Sequence, residues 1–285
     1  LSSYLSIYNN ISNTTYTSSA SVESGLFSLY FKPDGLAMFI MSSSSVYSYS
    51  LSTAWDVTTA VSTGSSYSFA AQVPSGGGYG LVIGDSGTKM YLTSYGTHNI
   101  YQYSLSTAWD ITSASFTKSQ NTPINYTDKT DLAFNPDGTK VYVVRYGADQ
   151  VVQISLTTAW DIASMTGTGS VVLDVSAHAG AKHGVAFNPD GTKVYVSSIG
   201  TDFVYEYLLS TAYDFNGASY SGNSFDLQSQ VDTARSIRTD PNGLYLYVAD
   251  SINNRVYQYS TGEIYFLTGY QPVHTTASTD TTYWT

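Results

Sequence analysis

Four aspartates stand in nearly the same words: Asp56 in SLSTAWDVT, Asp110 in SLSTAWDIT, Asp161 in SLTTAWDIA and Asp214 in LLSTAYDFN. Brought together, they would form a ring of acids. A second set, Asp34, Asp85, Asp137 and Asp190, lies in turn phrases such as FKPDG, IGDSG and FNPDG and invites a calcium reading. Calcium takes about six to eight oxygens, usually from several carboxylates. His178 and His183 in DVSAHAGAKHG, with Asp174 nearby, have a spacing that would serve zinc.

Each set also has a structural explanation. A carboxylate that follows a buried aromatic can accept backbone N–H bonds and fix a turn. Each calcium candidate supplies one acid, and the fifth copy of the phrase carries Asn242 in its place. The two histidines read as solvated residues of a loop between strands, and nothing repeats the pair. A hydrolase site would need acids, amides or a histidine converging on one point. Glu23, Glu206 and Glu263 stand in no recognisable catalytic setting, and no Gly-x-Ser-x-Gly elbow is present. SGGGYG at Ser75–Gly80 lacks the Lys-Ser/Thr of a phosphate loop and reads as a connection. From the residues alone the chain is read as a non-enzyme without metal or cofactor.

The same phrases reveal the elements that carry them. The turn glycines Gly35, Gly87, Gly138, Gly191 and Gly243 follow one another at steps of 52, 51, 53 and 52 residues. Each precedes an apolar–aromatic–apolar triplet such as Val141-Tyr142-Val143 or Val194-Tyr195-Val196. Self-similarity at a fixed period marks a repeat architecture. Pro, Asp and Gly make tight reversals, and the runs between them are rich in the β-branched and aromatic residues of strands. In the fourth copy HGVAF, TKVYVSS and FVYEYLL are three strands, with a fourth in SYSGNSFDLQ. No segment has sustained helical periodicity, although one helical turn fits around Ala-Trp-Asp. The expectation is an all-β propeller of five four-stranded blades of about 52 residues. Trp55, Trp109, Trp160 and Tyr213 should wedge between blades, with Trp109 and Trp160 mostly buried.

The chain ends predict how the ring closes. The fifth copy runs to Val256–Ser260 and has no Trp-Asp. YLSIYNNISNTTYT at Tyr4–Thr17 lies without gaps over SLSTAWDITSASFT at Ser104–Thr117. Residues 1–25 therefore supply the last blade's outer strand, from about Thr14 to Val22, within a propeller of residues 1–260. That closure leaves no open sheet edge. Residues 261–285 form an extension. Its run Ile264-Tyr265-Phe266-Leu267 has strong strand propensity and reads as a donor strand for another copy.

FNPDGTKVYV followed by VYEYLLST resembles the YVTN-type, surface-layer and lactonase-like β-propeller repeats, over about residues 26–260. The resemblance implies a propeller, commonly in an exported protein. Such propellers often have seven blades, whereas five are counted here.

Composition narrows the function classes. Charged residues are 11% of the chain, against about 25% in ordinary domains. Serine and threonine supply 77 polar residues instead, a surface that suits an exterior setting. The 27 tyrosines pack rings while leaving hydroxyls for water or a partner. A net charge of −10 argues against nucleic acid. No apolar run is long enough to span a bilayer, and the absence of cysteine excludes disulfides. Asn10, Asn13 and Asn125 begin N-glycosylation triplets, which arise by chance in a chain so rich in Ser and Thr. Glycans, through these asparagines or a Ser/Thr-rich tail, are possible partners. The leading expectation is an extracellular structural protein that self-assembles into a fibre or surface layer through chain-end strand pairing. The alternatives are a surface or phage-like adhesin that binds glycan or protein through a propeller face, and a lactonase-like enzyme.

Overall fold

The computed structural model describes residues 11–73, 77–97, 99–123, 128–178 and 180–261. The first strand, β1 (Thr15–Ser21), belongs to the last blade. Blade 1 comprises β2 (Ser28–Phe31), β3 (Ala37–Met41), β4 (Ser45–Leu51) and β5 (Ala60–Ser68). Blade 2 comprises β6 (Gly78–Gly84), β7 (Lys89–Ser94), β8 (Asn99–Leu105) and β9 (Ala114–Asn121). In blade 3 the strands are β10 (Lys129–Phe134), β11 (Lys140–Arg145), β12 (Gln150–Leu156) and β13 (Met165–Asp174). Blade 4 follows with β14 (Lys182–Phe187), β15 (Lys193–Ser198), β16 (Phe203–Leu208) and β17 (Ser219–Asp226). Blade 5 has β18 (Ala234–Thr239), β19 (Tyr245–Asp250) and β20 (Arg255–Ser260). All five sheets are antiparallel meanders, and the inner strands β2, β6, β10, β14 and β18 face one another around a single axis.

The ring closes as the repeat predicts. β1 pairs with β20 from Thr15 opposite Ser260 to Ser21 opposite Arg255, with a bulge between Tyr16 and Ser18. The last blade thus takes its outer strand from the other end of the chain, and the edge of β20 is covered. The expected donor strand Ile264, Tyr265, Phe266 and Leu267 lies outside the described residues, as do Asn10 and Asn125. Asn13 is exposed at the end of a short helical turn that precedes β1.

Tight turns between strands one and two carry their glycines at positive φ, from 69° to 86°. The turn acids are consumed locally. Asp137 Oδ1 accepts from Thr139 N at 2.9 Å and Asp190 Oδ1 accepts from Thr192 N at 2.9 Å. Among the described residues no group of three or more His, Cys, Asp or Glu could hold a metal ion. No described helix is long and apolar enough to cross a membrane.

Apolar residues fill the spaces between blades. Tyr91, Tyr142 and Tyr247, at matching positions of second strands, are fully buried. Outer strands are largely exposed, because a neighbour covers only part of them. At the axis a different rule operates. Five inner strands enclose little room, and Ser28, Gly80, Asp131, Gly184 and Ser236 meet there. A Cβ on Gly80 would stand 2.8 Å from Asp131 Cα, and one on Gly184 would stand 3.0 Å from Ser236 Cα. Glycine is required because backbones approach each other there. SGGGYG is therefore more than a connection, since Gly78 and Gly80 belong to the axial strand β6.

Candidate functional site

Asp131 and Arg238 plug the axis. The guanidinium grips the carboxylate at 2.9 and 3.0 Å and also donates to Leu81 O at 2.9 Å. Leu132 N and Val185 N donate to the same carboxylate, at 2.9 and 3.2 Å. Burial pushes the Asp131 carboxyl above the usual carboxylate range, against the pull of Arg238. The plug separates two mouths.

The first mouth lies on the side of the turns between strands one and two. Here the Ala-Trp-Asp phrases join strands three and four of their blades. Each aspartate caps a short helical turn: Asp56 Oδ1 accepts from Thr58 N at 3.0 Å, Asp110 Oδ1 from Thr112 N at 2.9 Å and Asp161 Oδ1 from Ala163 N at 2.9 Å. Asp214 Oδ1 accepts from Asn216 N at 2.9 Å in the equivalent bend. The acids are spaced around the ring, one to a joint, and form no cluster. Asp161 and Asp214 also hold Lys118 and Lys140 of the preceding blades, at 2.7 and 3.1 Å.

The preceding aromatics do wedge between blades. A Cβ on Gly138 would meet the pyrrole side of Trp160, and one on Gly84 of blade 2 would meet its benzo side. Three joints share a hydroxyl latch, with Tyr91, Tyr142 and Tyr247 donating to the carbonyls of Trp160, Tyr213 and Trp55 at 2.5, 2.6 and 2.7 Å. A strand-three side chain adds a second latch: Gln258, Gln102 and Gln153 accept from Val57 N, Ile162 N and Phe215 N. Glu206 does the same for Ile11 N, and its ion pair with Lys193 at 3.0 Å makes it a joint residue. Only the joint of blades 1 and 2 has Phe39 and Ser48 at these places.

Trp55, Trp109, Trp160 and Tyr213 are mostly covered, as expected of Trp109 and Trp160, but none is fully buried. All four have positive φ, at 67°, 66°, 63° and 55°. That conformation strains a bulky residue. The reason for the exposure is an open cavity of about 470 Å³ that all four line, together with Tyr30, Asp85, Arg238 and Asp240.

The second mouth is built from residues that do not repeat. Preceding the axial position in each inner strand stand Phe27, Tyr79, Thr130, His183 and Arg235. Arg235 lies over the rings of Phe27 and Tyr79, at 5.1 and 5.8 Å from their centroids. It donates to Ser251 Oγ at 3.0 Å and meets His183 Nε2 at 3.0 Å. Tyr146 packs edge-on against His183 and Tyr95, and Tyr79 lies beside both, which completes an aromatic wall. Arg235 pairs with no carboxylate among the described residues. Burial and the neighbouring guanidinium press the His183 imidazole down to about 3, so it is neutral and accepts from Arg235.

His183 is thus a buried residue of β14, 2% exposed, and not a solvated loop residue. His178 belongs elsewhere, stacked on Tyr205 at 4.1 Å and packed against Tyr220. The two histidines and Asp174 make no ligand set. Phe27, Tyr79 and Arg235 escaped sequence reasoning because nothing repeats them. Their shared offset from the turn glycines was the available signal.

With both mouths described, the family can be stated. The family described as "Lactonase, 7-bladed beta-propeller" matches residues 81–282, and the chain belongs to this family of β-propellers. It departs from the family's description in closing with five blades. Curated proteins offer no match. Among solved structures, a candidate 6-phosphogluconolactonase from Bacteroides fragilis has a TM-score of 0.51 at 14% identity, with 82% of this chain and 79% of that one covered. A candidate 6-phosphogluconolactonase from Bacteroides uniformis gives 0.50 at 16%, covering 82% and 66%. The Cps50 (Swd1) β-propeller domain from Myceliophteria thermophila gives 0.50 at 10%, covering 87% and 99%. The chain spans 66% of the length of the Bacteroides uniformis protein and 64% of one from Desulfotomaculum acetoxidans. At these identities the structures show the fold alone, while membership in a lactonase family weighs against reading the chain as a non-enzyme.

Proposed function

We propose that the chain is a recognition propeller that binds a small carbonyl- or carboxylate-bearing molecule at the His183–Arg235 mouth. One observation carries this reading. In a chain of net charge −10, Arg235 is a half-buried guanidinium beside the axis with no acid against it among the described residues. Its acceptors are the neutral His183 and a serine hydroxyl, both of which a carbonyl or carboxylate oxygen can replace. Aromatic rings on its faces hold it in place and thin out the water around it.

Lactone hydrolysis is the second reading, favoured by the family. Arg235 would polarise the ester carbonyl. A ligand that takes over the guanidinium would release His183 Nε2 to accept a proton from water. While Arg235 holds it, that nitrogen is engaged and weakly basic, so binding is the primary reading.

The test is calorimetric titration with gluconate and δ-gluconolactone, combined with a pH-stat assay for ring opening. Saturable binding that Arg235→Gln abolishes supports recognition. Turnover lost in both Arg235→Gln and His183→Ala supports the second reading. Neither binding nor turnover by the folded wild type would overturn both. An exterior setting is proposed from the weakly charged, Ser/Thr-rich composition. Self-assembly through residues 261–285 rests on sequence alone, and ring closure does not require them.

A further inference from the structure

Neither reading uses the cavity at the opposite mouth. We propose that this cavity is a saccharide site, in which a neutral mono- or disaccharide lies against the indoles of Trp55, Trp109 and Trp160. This mouth lies on the far side of the Asp131–Arg238 plug from His183 and Arg235.

Four observations point the same way. First, the aromatics of four successive joints line one cavity and none is fully buried, although each is held over a turn glycine. Second, all four are kept at positive φ, a strain repeated in four of the five copies.

Third, the unused donors suit a sugar. No indole N–H of the three tryptophans donates to a protein acceptor among the described residues. Flat rings with N–H edges complement a pyranose, whose C–H faces stack on aromatics and whose oxygens accept hydrogen bonds.

Fourth, charge selects against an anionic ligand. Of the acids lining the cavity, Asp85 holds Lys89 at 3.1 Å and Asp240 is buried, while the one lining cation, Arg238, is neutralised by Asp131. Sugar phosphates and uronic acids would find no free cation in this lining, and an uncharged saccharide needs none. At about 470 Å³ the cavity falls within the range of roughly 300–1,000 Å³ for small-molecule sites.

The experiment is an NMR titration of protein labelled with ¹⁵N at the indole nitrogens, using cellobiose, maltose and chitobiose in turn. At least one of these should shift the cavity tryptophan signals saturably. Trp109→Ala should weaken that binding by roughly three- to tenfold, and Trp109→Phe, which keeps a ring without the N–H, by less. Circular dichroism establishes that each variant is folded, and if the alanine variant is not, the phenylalanine variant decides. Absence of a saturable indole shift with all three sugars would overturn the proposal. So would binding that is undiminished by the folded variants.

Discussion

The two mouths of the ring are made by the same five inner strands from opposite kinds of residue. At the turn mouth everything repeats: glycine turns, Ala-Trp-Asp caps, and aromatics at four joints. The result is an open cavity walled by aromatics from four of its five joints. Across the plug nothing repeats. Phe27, Tyr79, Thr130, His183 and Arg235 occupy one equivalent position with five different side chains, and the result is an asymmetric pocket around a single cation. Repetition builds and spaces a ring, whereas departure from repetition lets one point on the axis do chemistry. Substitutions at the two mouths should therefore differ in kind.

The largest effect is expected at the plug that both mouths share. Arg238→Met leaves the Asp131 carboxylate buried with only backbone amides and a serine as partners. Removing one member of a buried ion pair costs about 3–5 kcal/mol. Replacing both, with Asp131→Leu and Arg238→Met together, should cost distinctly less than the two single changes summed. Urea denaturation of the four proteins measures this cycle. Strict additivity would mean that the pair does not act as a unit at the axis.

A smaller effect separates two joints of the turn mouth. Trp160 is packed against Gly84, Gly138, Tyr91 and Phe134, in a joint with both latches. Trp109 meets Phe39 at 6.5 Å and Gly87, in the joint that lacks them. Trp160→Ala should cost about 2–3 kcal/mol, below the range for a fully buried tryptophan because part of the ring already faces the cavity. Trp109→Ala should cost about 1 kcal/mol less than that. Trp160→Gly should be no worse than Trp160→Ala, since glycine relieves the positive φ. Equal melting temperatures for the two alanine variants would show that the latches contribute nothing.

These contrasts explain what could be read in advance. The 52-residue period gave the blades, the turns, the strand order and the strand exchange at the ends, because each is written several times in the same register. Asp56, Asp110, Asp161 and Asp214 could be read as caps for the same reason. The cavity that Trp109 and Trp160 line could not. It depends on how wide a ring of five blades opens at that face, which is a property of the whole circle. His183 was visible as a histidine, but its partner is 52 residues away in the next blade. Only superposing the repeats on their turn glycines brings the two to one position. Gly80 and Gly184 were hidden likewise, since the need for glycine comes from neighbouring strands.

The gentlest contrast is the pH dependence of the two mouths, which should tilt in opposite senses. His183 is pressed to about 3 in the folded protein, by burial first and by Arg235 second. In the unfolded chain it titrates near ~6.5. Between these values the unfolded chain carries a proton that the folded chain refuses, so this residue's contribution to stability is complete above about 6.5 and declines as pH falls toward about 3. At the turn mouth, burial raises the Asp240 carboxyl above its ordinary range, against the amides of Tyr245 and Asn242. Here the folded chain takes up a proton before the unfolded one does, so acid favours the fold as pH falls through the raised value. His183→Gln keeps an acceptor for Arg235 and removes the titration. Relative to wild type it should gain stability on acidification, and Asp240→Asn should lose it. Denaturation midpoints of the three proteins across the acid range measure both slopes. A difference between wild type and His183→Gln that does not change with pH would show that His183 is not held neutral at the mouth, and the case for Arg235 as an unpaired ligand-binding cation would lose its nearest support.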